Sequence, residues 1–131
     1  MSARRVLVVE DNLVLNLASC DVLQDSGFDV VGVHCAADAF AAAEQGANLS
    51  ALVTDIELGT GPNGFDVASR FRTDNPHLPV VFISATAWAS QRAEQIERSE
   101  FIQKPHQPSE IVDALCRLGC CNLEPRRKPD G

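Results

Sequence analysis

The chain has 131 residues, 45% of them hydrophobic, and a net charge of −7 from 11 Lys and Arg against 18 Asp and Glu. That length suits one domain with a real core, and no apolar run approaches the ~20 residues of a membrane-spanning helix. The acidic balance argues against direct nucleic-acid binding, and the lack of a secretory-leader pattern points to a cytoplasmic protein. In chain order, residues 5–9 read as a buried strand. Asn12 can then cap a helix in which Leu13, Leu17, Cys20 and Leu23 recur at helical spacing before Gly27 stops it. Residues 28–33 form a second strand, and the alanine-rich stretch 36–45 a helix ending at Gly46. A third strand covers 51–54, and the Gly- and Pro-containing stretch 56–63 is a loop. Phe65, Val67, Ala68 and Phe71 place a helix over 64–73. Val80, Val81, Phe82 and Ile83 make 79–84 a strong strand, followed by a short helix over 88–98 and a short strand at 101–102. The last helix is expected over 110–118, capped by Ser109, with Ile111, Val112 and Leu115 inward and Gly119 as its stop. Residues 119–131 read as a polar, flexible tail whose Arg126-Arg127-Lys128 cluster is solvated.

This is a βα unit repeated five times. Such a pattern, with near-continuous apolar strands, argues for a doubly wound parallel sheet with helices on both faces, here over residues 4–118. The five cysteines, Cys20, Cys35, Cys116, Cys120 and Cys121, are odd in number and irregularly spaced, so no disulfide framework is implied. Cys20 falls in an apolar helical pattern and reads as core. His34, His77 and His106 share no ligand spacing.

Polar residues close four of the apolar runs. Glu10 and Asp11 follow the first strand, Asp55 the third, Ser84 and Ala85 the fourth, and Lys104 and Pro105 the fifth. Ligands of parallel α/β sheets bind at the carboxyl ends of the strands, so three carboxylates and an ammonium group meet in one crevice. Taken singly, an acidic pair after a strand is ordinarily a favourable helix-start charge, a lone Asp a turn or cap, and Lys-Pro a loop. Clustered carboxylates repel one another, which raises at least one pKa unless a cation sits among them, and Mg2+ favours such hard oxygen ligands.

With these motifs in order over residues 4–118, the chain resembles the receiver domains of two-component response regulators. The resemblance implies a flavodoxin-like five-stranded sheet in the order 2-1-3-4-5. It implies Mg2+ bound by Glu10, Asp11, Asp55 and the backbone carbonyl of Glu57, and Asp55 as the phosphoacceptor. Lys104 would neutralise a phosphoryl oxygen and Ser84 donate its hydroxyl to another. Phe101 would follow Ser84 inward as the switch aromatic, and Pro105 would follow a cis peptide bond. Glu57, Ala85 and Thr86 would modulate access and phosphate lifetime.

The implied phosphodonor is a sensor histidine kinase or a histidine phosphotransfer protein. The implied output is contact with a downstream protein, or a phosphate sink, through the fourth helix, fifth strand and fifth helix. Dimers can form through the same surface, where Trp88, if exposed, would anchor a partner. Two departures from the family pattern stand out: one extra residue in the 58–62 loop, and about two fewer residues between Ser84 and Lys104, which shortens the fourth helix. The leading expectation is a stand-alone, single-domain regulator that catalyses only its own phosphorylation and dephosphorylation. The alternatives are a binding module that works without phosphate, a receiver from a longer hybrid kinase, and a small aspartate-nucleophile phosphatase, against which Asp55-Ile56-Glu57 lacks a second Asp.

Overall fold

A computed structural model describes residues 4–120. Its elements run β1 (Arg5–Val9), α1 (Leu13–Asp25), β2 (Asp29–Val33), α2 (Ala36–Glu44), β3 (Ala51–Asp55), α3 (Gly64–Asp74), β4 (Val80–Ser84), α4 (Ala89–Ala93), β5 (Ser99–Gln103) and α5 (Ser109–Arg117). The strands form one sheet in the order β2-β1-β3-β4-β5, every pairing parallel. Side chains alternate faces along a strand, so β1 divides its apolar run between two cores. Leu7 and Val9 join Ala39, Phe65 and Ala89 under α2, α3 and α4. Val6 and Val8 join Leu23, Ile111 and Leu115 under α1 and α5. All five residues of β3 and of β4 are buried, as expected for central strands covered on both sides.

Helix starts and stops follow local chemistry. The Asn12 side chain accepts the Leu15 N–H at 3.0 Å. Asn63 and Asp66 form a reciprocal capping box that starts α3 directly after the glycine-rich loop. Gly27, Gly46 and Gly119 follow helix ends with positive φ.

Several expectations need correction. Leu13, Val14 and Leu17 are 60%, 74% and 67% exposed, while Asn16, Ser19 and Leu23 face inward. Two hydrogen bonds from the Asn16 amide to strand-end carbonyls set this rotation of α1. They leave Cys20 only half-buried at the edge of the core. At α5, Ser109 is the first helical residue and makes no cap; the Glu110 carboxylate instead accepts the Gln107 N–H at 2.9 Å. The fourth helix is shorter than expected, five residues anchored by buried Ala89 and Ala93, and β5 is longer, spanning Ser99–Gln103. At the carboxyl end, Cys120 is 3% exposed and packs into the core beside α5, so the packed domain runs past residue 118. The rest of the expected tail, with Cys121 and the basic cluster, lies outside the described residues.

Among the described residues no helix is long and apolar enough to cross a membrane.

Arg72, near the end of α3, ties three segments together. Its guanidinium donates to the Leu78 carbonyl at 2.9 and 2.6 Å, to the Glu97 carbonyl at 2.7 Å and to the Arg98 carbonyl at 3.1 Å. Arg72→Ala is expected to lower unfolding free energy by about 1–3 kcal/mol, measured by urea denaturation. Arg72→Lys should recover only part of the loss, because an ammonium lacks the planar fork.

Candidate functional site

Four strand ends converge on one edge of the sheet. β1 delivers Glu10 and Asp11, β3 ends on Asp55, β4 on Ser84, and β5 leads into Lys104. The backbone fixes their spacing. The Glu10 N–H donates to the Val33 carbonyl at 3.1 Å, Ile56 N–H to Ile83 at 2.9 Å, and Lys104 N–H to Ser84 at 2.9 Å. The Lys104-Pro105 peptide is cis, as the resemblance implied.

Two small residues and one amide complete the frame. A Cβ on Gly64 would lie 2.2 Å from the Asp55 carbonyl oxygen, so only glycine lets α3 start this close behind β3. Asn16, 3% exposed, donates to the Glu10 carbonyl at 3.1 Å and the Val33 carbonyl at 2.9 Å. It thereby locks the loop that carries the acidic pair. Gly32 makes room for it, since a Cβ there would lie 2.4 Å from Asn16 Oδ1.

Glu10 and Asp55 are buried, at 4% and 2% exposure, while Asp11 is exposed. The three offer carboxylate oxygens that all lie within 4.8 Å of one another. Lys104 Nζ stands 3.1 Å from Asp55 Oδ1, 3.2 Å from Oδ2 and 3.6 Å from Glu10 Oε1. The approach to Oδ1 is an ion-pair contact without hydrogen-bond alignment, and that buried oxygen has no hydrogen-bond donor. Burial first, then the facing Glu10 carboxylate, pushes the Asp55 pKa up to about 8 against the opposing pull of Lys104. For Lys104, burial pulls the pKa down, but the charges of Asp55 and Glu10 outweigh it and the net shift is upward. A hard-oxygen donor set containing an unsatisfied buried oxygen fits a divalent cation such as Mg2+.

Ser84 is fully buried. Its hydroxyl donates to the Glu57 carboxylate, whose oxygens lie at 2.9 and 2.7 Å, and accepts the Thr86 N–H at 2.9 Å. Phe101 is half-buried against the core, in register with Phe82. Beside the site, Leu15, Ala85, Lys104, Pro105 and His106 line an open apolar cleft of about 360 Å³. Burial shifts the pKa of His106 downward. Trp88 is 66% exposed at the start of α4.

The edge therefore gathers the sequence-derived Glu10, Asp11, Asp55, Ser84 and Lys104, with Glu57, Ala85, Thr86 and Pro105 around them. Sequence reasoning missed Asn16, Gly64 and the Glu57–Ser84 contact. A polar Asn at helical spacing from buried Leu23 was a readable signal for the first. The other two depend on distances between segments.

A family model of the response regulator receiver domain matches residues 6–116. The Thermotoga maritima chemotaxis protein CheY is 28% identical over 119 residues, 88% of this chain and 97% of that protein. The Pseudomonas aeruginosa response regulator FleR is 28% identical over 131 residues, 98% of this chain but 27% of that protein. The chain thus spans about a quarter of the longer relative. In structure it is similar to a receiver protein from Sinorhizobium medicae, with a TM-score of 0.82, 30% identity and coverage of 89% of this chain and 94% of that one. It shares its fold with TrrA of Thermotoga maritima, solved in complex with Mg2+ and BeF, at a TM-score of 0.75 and 21% identity over 88% of this chain and 98% of that one.

An acid whose pKa rises from 3.8 to about 8 on folding binds more protons folded than unfolded between those values. Its contribution to stability is present below pH 4 and lost as pH climbs through 8. Without metal, Asp55→Asn is therefore expected to be more stable than the parent at pH 8. The gap should close toward pH 4 and narrow when Mg2+ is added, followed by thermal unfolding. Asn16→Ala should cost about 1–3 kcal/mol in urea denaturation, since the buried Glu10 carbonyl loses this donor while the Val33 carbonyl keeps the Glu10 N–H.

Proposed function

The chain belongs to the response regulator receiver domain family, and from that premise we propose that Asp55 accepts a phosphoryl group from a phosphohistidine. The donor is a sensor histidine kinase or a histidine phosphotransfer protein acting in the cytoplasm. One observation carries the reading: a buried Asp55 carboxylate flanked by two further carboxylates, with an ammonium 3.1 Å away.

In the transfer an Asp55 oxygen attacks phosphorus. The new Oδ–P bond forms as the N–P bond to the donor imidazole breaks, and the imidazole nitrogen keeps the electron pair and takes a proton from solvent. Phosphoryl transfer depends on positioning and charge neutralisation, and the residues divide that work. Lys104 pairs with a phosphoryl oxygen as a compact charge. The Ser84 hydroxyl donates to another, and Phe101 moves with it. Ala85, Thr86 and Pro105 shape the entry. Glu10, Asp11, Asp55 and the Glu57 carbonyl would hold Mg2+, which supplies positive charge to the phosphoryl oxygens. Hydrolysis reverses the state: water attacks phosphorus, the Oδ–P bond breaks and inorganic phosphate leaves.

The domain acts on itself alone and signals through protein contact or by draining phosphate from a kinase. The exposed Leu13, Val14 and Leu17 belong to α1, whose Leu15 lines the cleft at Lys104 and Pro105, and they suit a donor domain that must bring its imidazole to Asp55. The face of α4, β5 and α5, with Trp88 at its edge, suits a downstream protein or a second copy. The same chemistry serves a single-domain regulator or a receiver within a longer hybrid kinase.

The test is labelling by a small phosphodonor, read by intact mass. A Mg2+-dependent gain of one phosphoryl group is expected, with none in Asp55→Ala and a rate lower by roughly two orders of magnitude in Lys104→Ala. Undiminished labelling of Asp55→Ala would overturn the assignment.

A further inference from the structure

Ser84 has one hydroxyl proton, and in this structure it is already taken. The Glu57 carboxylate accepts it, with oxygens at 2.7 and 2.9 Å, while the Thr86 N–H fills the acceptor side of the same oxygen at 2.9 Å. Ser84 is buried and Glu57 exposed. The donor that a phosphoryl group on Asp55 must recruit is therefore committed to another anion, two positions further along the chain from Asp55.

We propose that Glu57 is a positioning residue that holds the Ser84 hydroxyl in the resting state, so that the phosphoryl group turns the switch by winning this hydroxyl from it. The inference rests on the phosphoacceptor reading of Asp55. Both acceptors are anionic, and both make short, charge-assisted bonds of similar strength. The exchange is consequently close to balanced. Glu57, once released, is resolvated at the surface, whereas the buried hydroxyl has beside the two anions only the Thr86 carbonyl, at a long 3.5 Å. A carboxylate at position 57 thus sets how far phosphorylation shifts the equilibrium, by a route separate from its backbone carbonyl.

Beryllofluoride, a mimic of the carboxyl-bound phosphoryl group, provides the test. It is titrated with Mg2+ into the parent chain, Glu57→Gln, Ser84→Ala and the double variant. Glu57→Gln keeps the shape but weakens the competing acceptor, so affinity should rise by roughly tenfold. In the Ser84→Ala background the same substitution should have no effect. Equal tightening in both backgrounds means that Glu57 acts by charge repulsion alone and overturns the proposal, as does no tightening in the parent background. Before any ligand is added, the Thr86 amide proton resonance, which reports on its Ser84 acceptor, should move in Glu57→Gln. An unmoved resonance overturns the contact itself. Loss of beryllofluoride binding in every variant overturns the Asp55 reading and the switching role with it. Binding that ignores Glu57 overturns the switching role alone.

Discussion

Three carboxylates are held within 4.8 Å of one another at one end of a parallel sheet, and the fold must keep them there against their mutual repulsion. Two of the three are buried, which strengthens that repulsion. The nearby positive charge is the ammonium of Lys104, which reaches Asp55 and Glu10 but leaves Asp55 Oδ1 without a hydrogen bond. The site is thus under-neutralised as it stands. Such a crowd of hard oxygen donors in one crevice suits a divalent cation.

What resists the repulsion is backbone and packing rather than the charges themselves. Central strands that are buried throughout cannot slide without exposing their apolar faces, so Asp55 and Ser84 are fixed by Leu52, Val53, Phe82 and Ile83. Asn16 binds the carbonyls at the ends of β1 and β2 and stops the acidic loop from swinging away. Gly64 lets α3 begin against the Asp55 backbone, backing the carboxylate from behind. These contacts are neutral and close-range, so they hold their geometry across changes of salt and pH that would weaken ion pairs.

Most of the sheet was legible because its signals are local. Short β-branched runs such as Val6-Leu7-Val8-Val9 and Val80-Val81-Phe82-Ile83 favour strands buried on both sides, and the residues that close them then fall along one edge. The face of α1 was misread because Leu13 and Leu17 satisfy helical spacing as well as Asn16 and Leu23 do. Periodicity names a stripe, and a pair of hydrogen bonds from an amide decided which stripe turned inward. α5 starts one residue earlier than expected, at Ser109, which makes no cap, while the Glu110 carboxylate accepts the Gln107 N–H just ahead of the helix. The Glu57–Ser84 contact was beyond reach, since it joins a loop after β3 to the end of β4, 27 residues apart, and depends on the distance between those segments.

The brevity of α4 has a consequence for how the domain unfolds locally. Five residues cannot sustain a helix in water by themselves, so α4 persists through the burial of Ala89 and Ala93 and through the Ser99 hydroxyl, which accompanies the chain past its end by donating to the Ala93 and Ile96 carbonyls. Beyond these, the Arg92 guanidinium lies 4.2 Å from the Phe65 ring and Arg72 holds the Glu97 and Arg98 carbonyls, so the segment is anchored mainly by polar and small groups. The segment between β4 and β5 thus buries little apolar surface of its own, the condition under which local opening costs less than global unfolding. A protein that grips Trp88 would make its contact on this lightly buried segment, a few residues along the chain from the acidic edge.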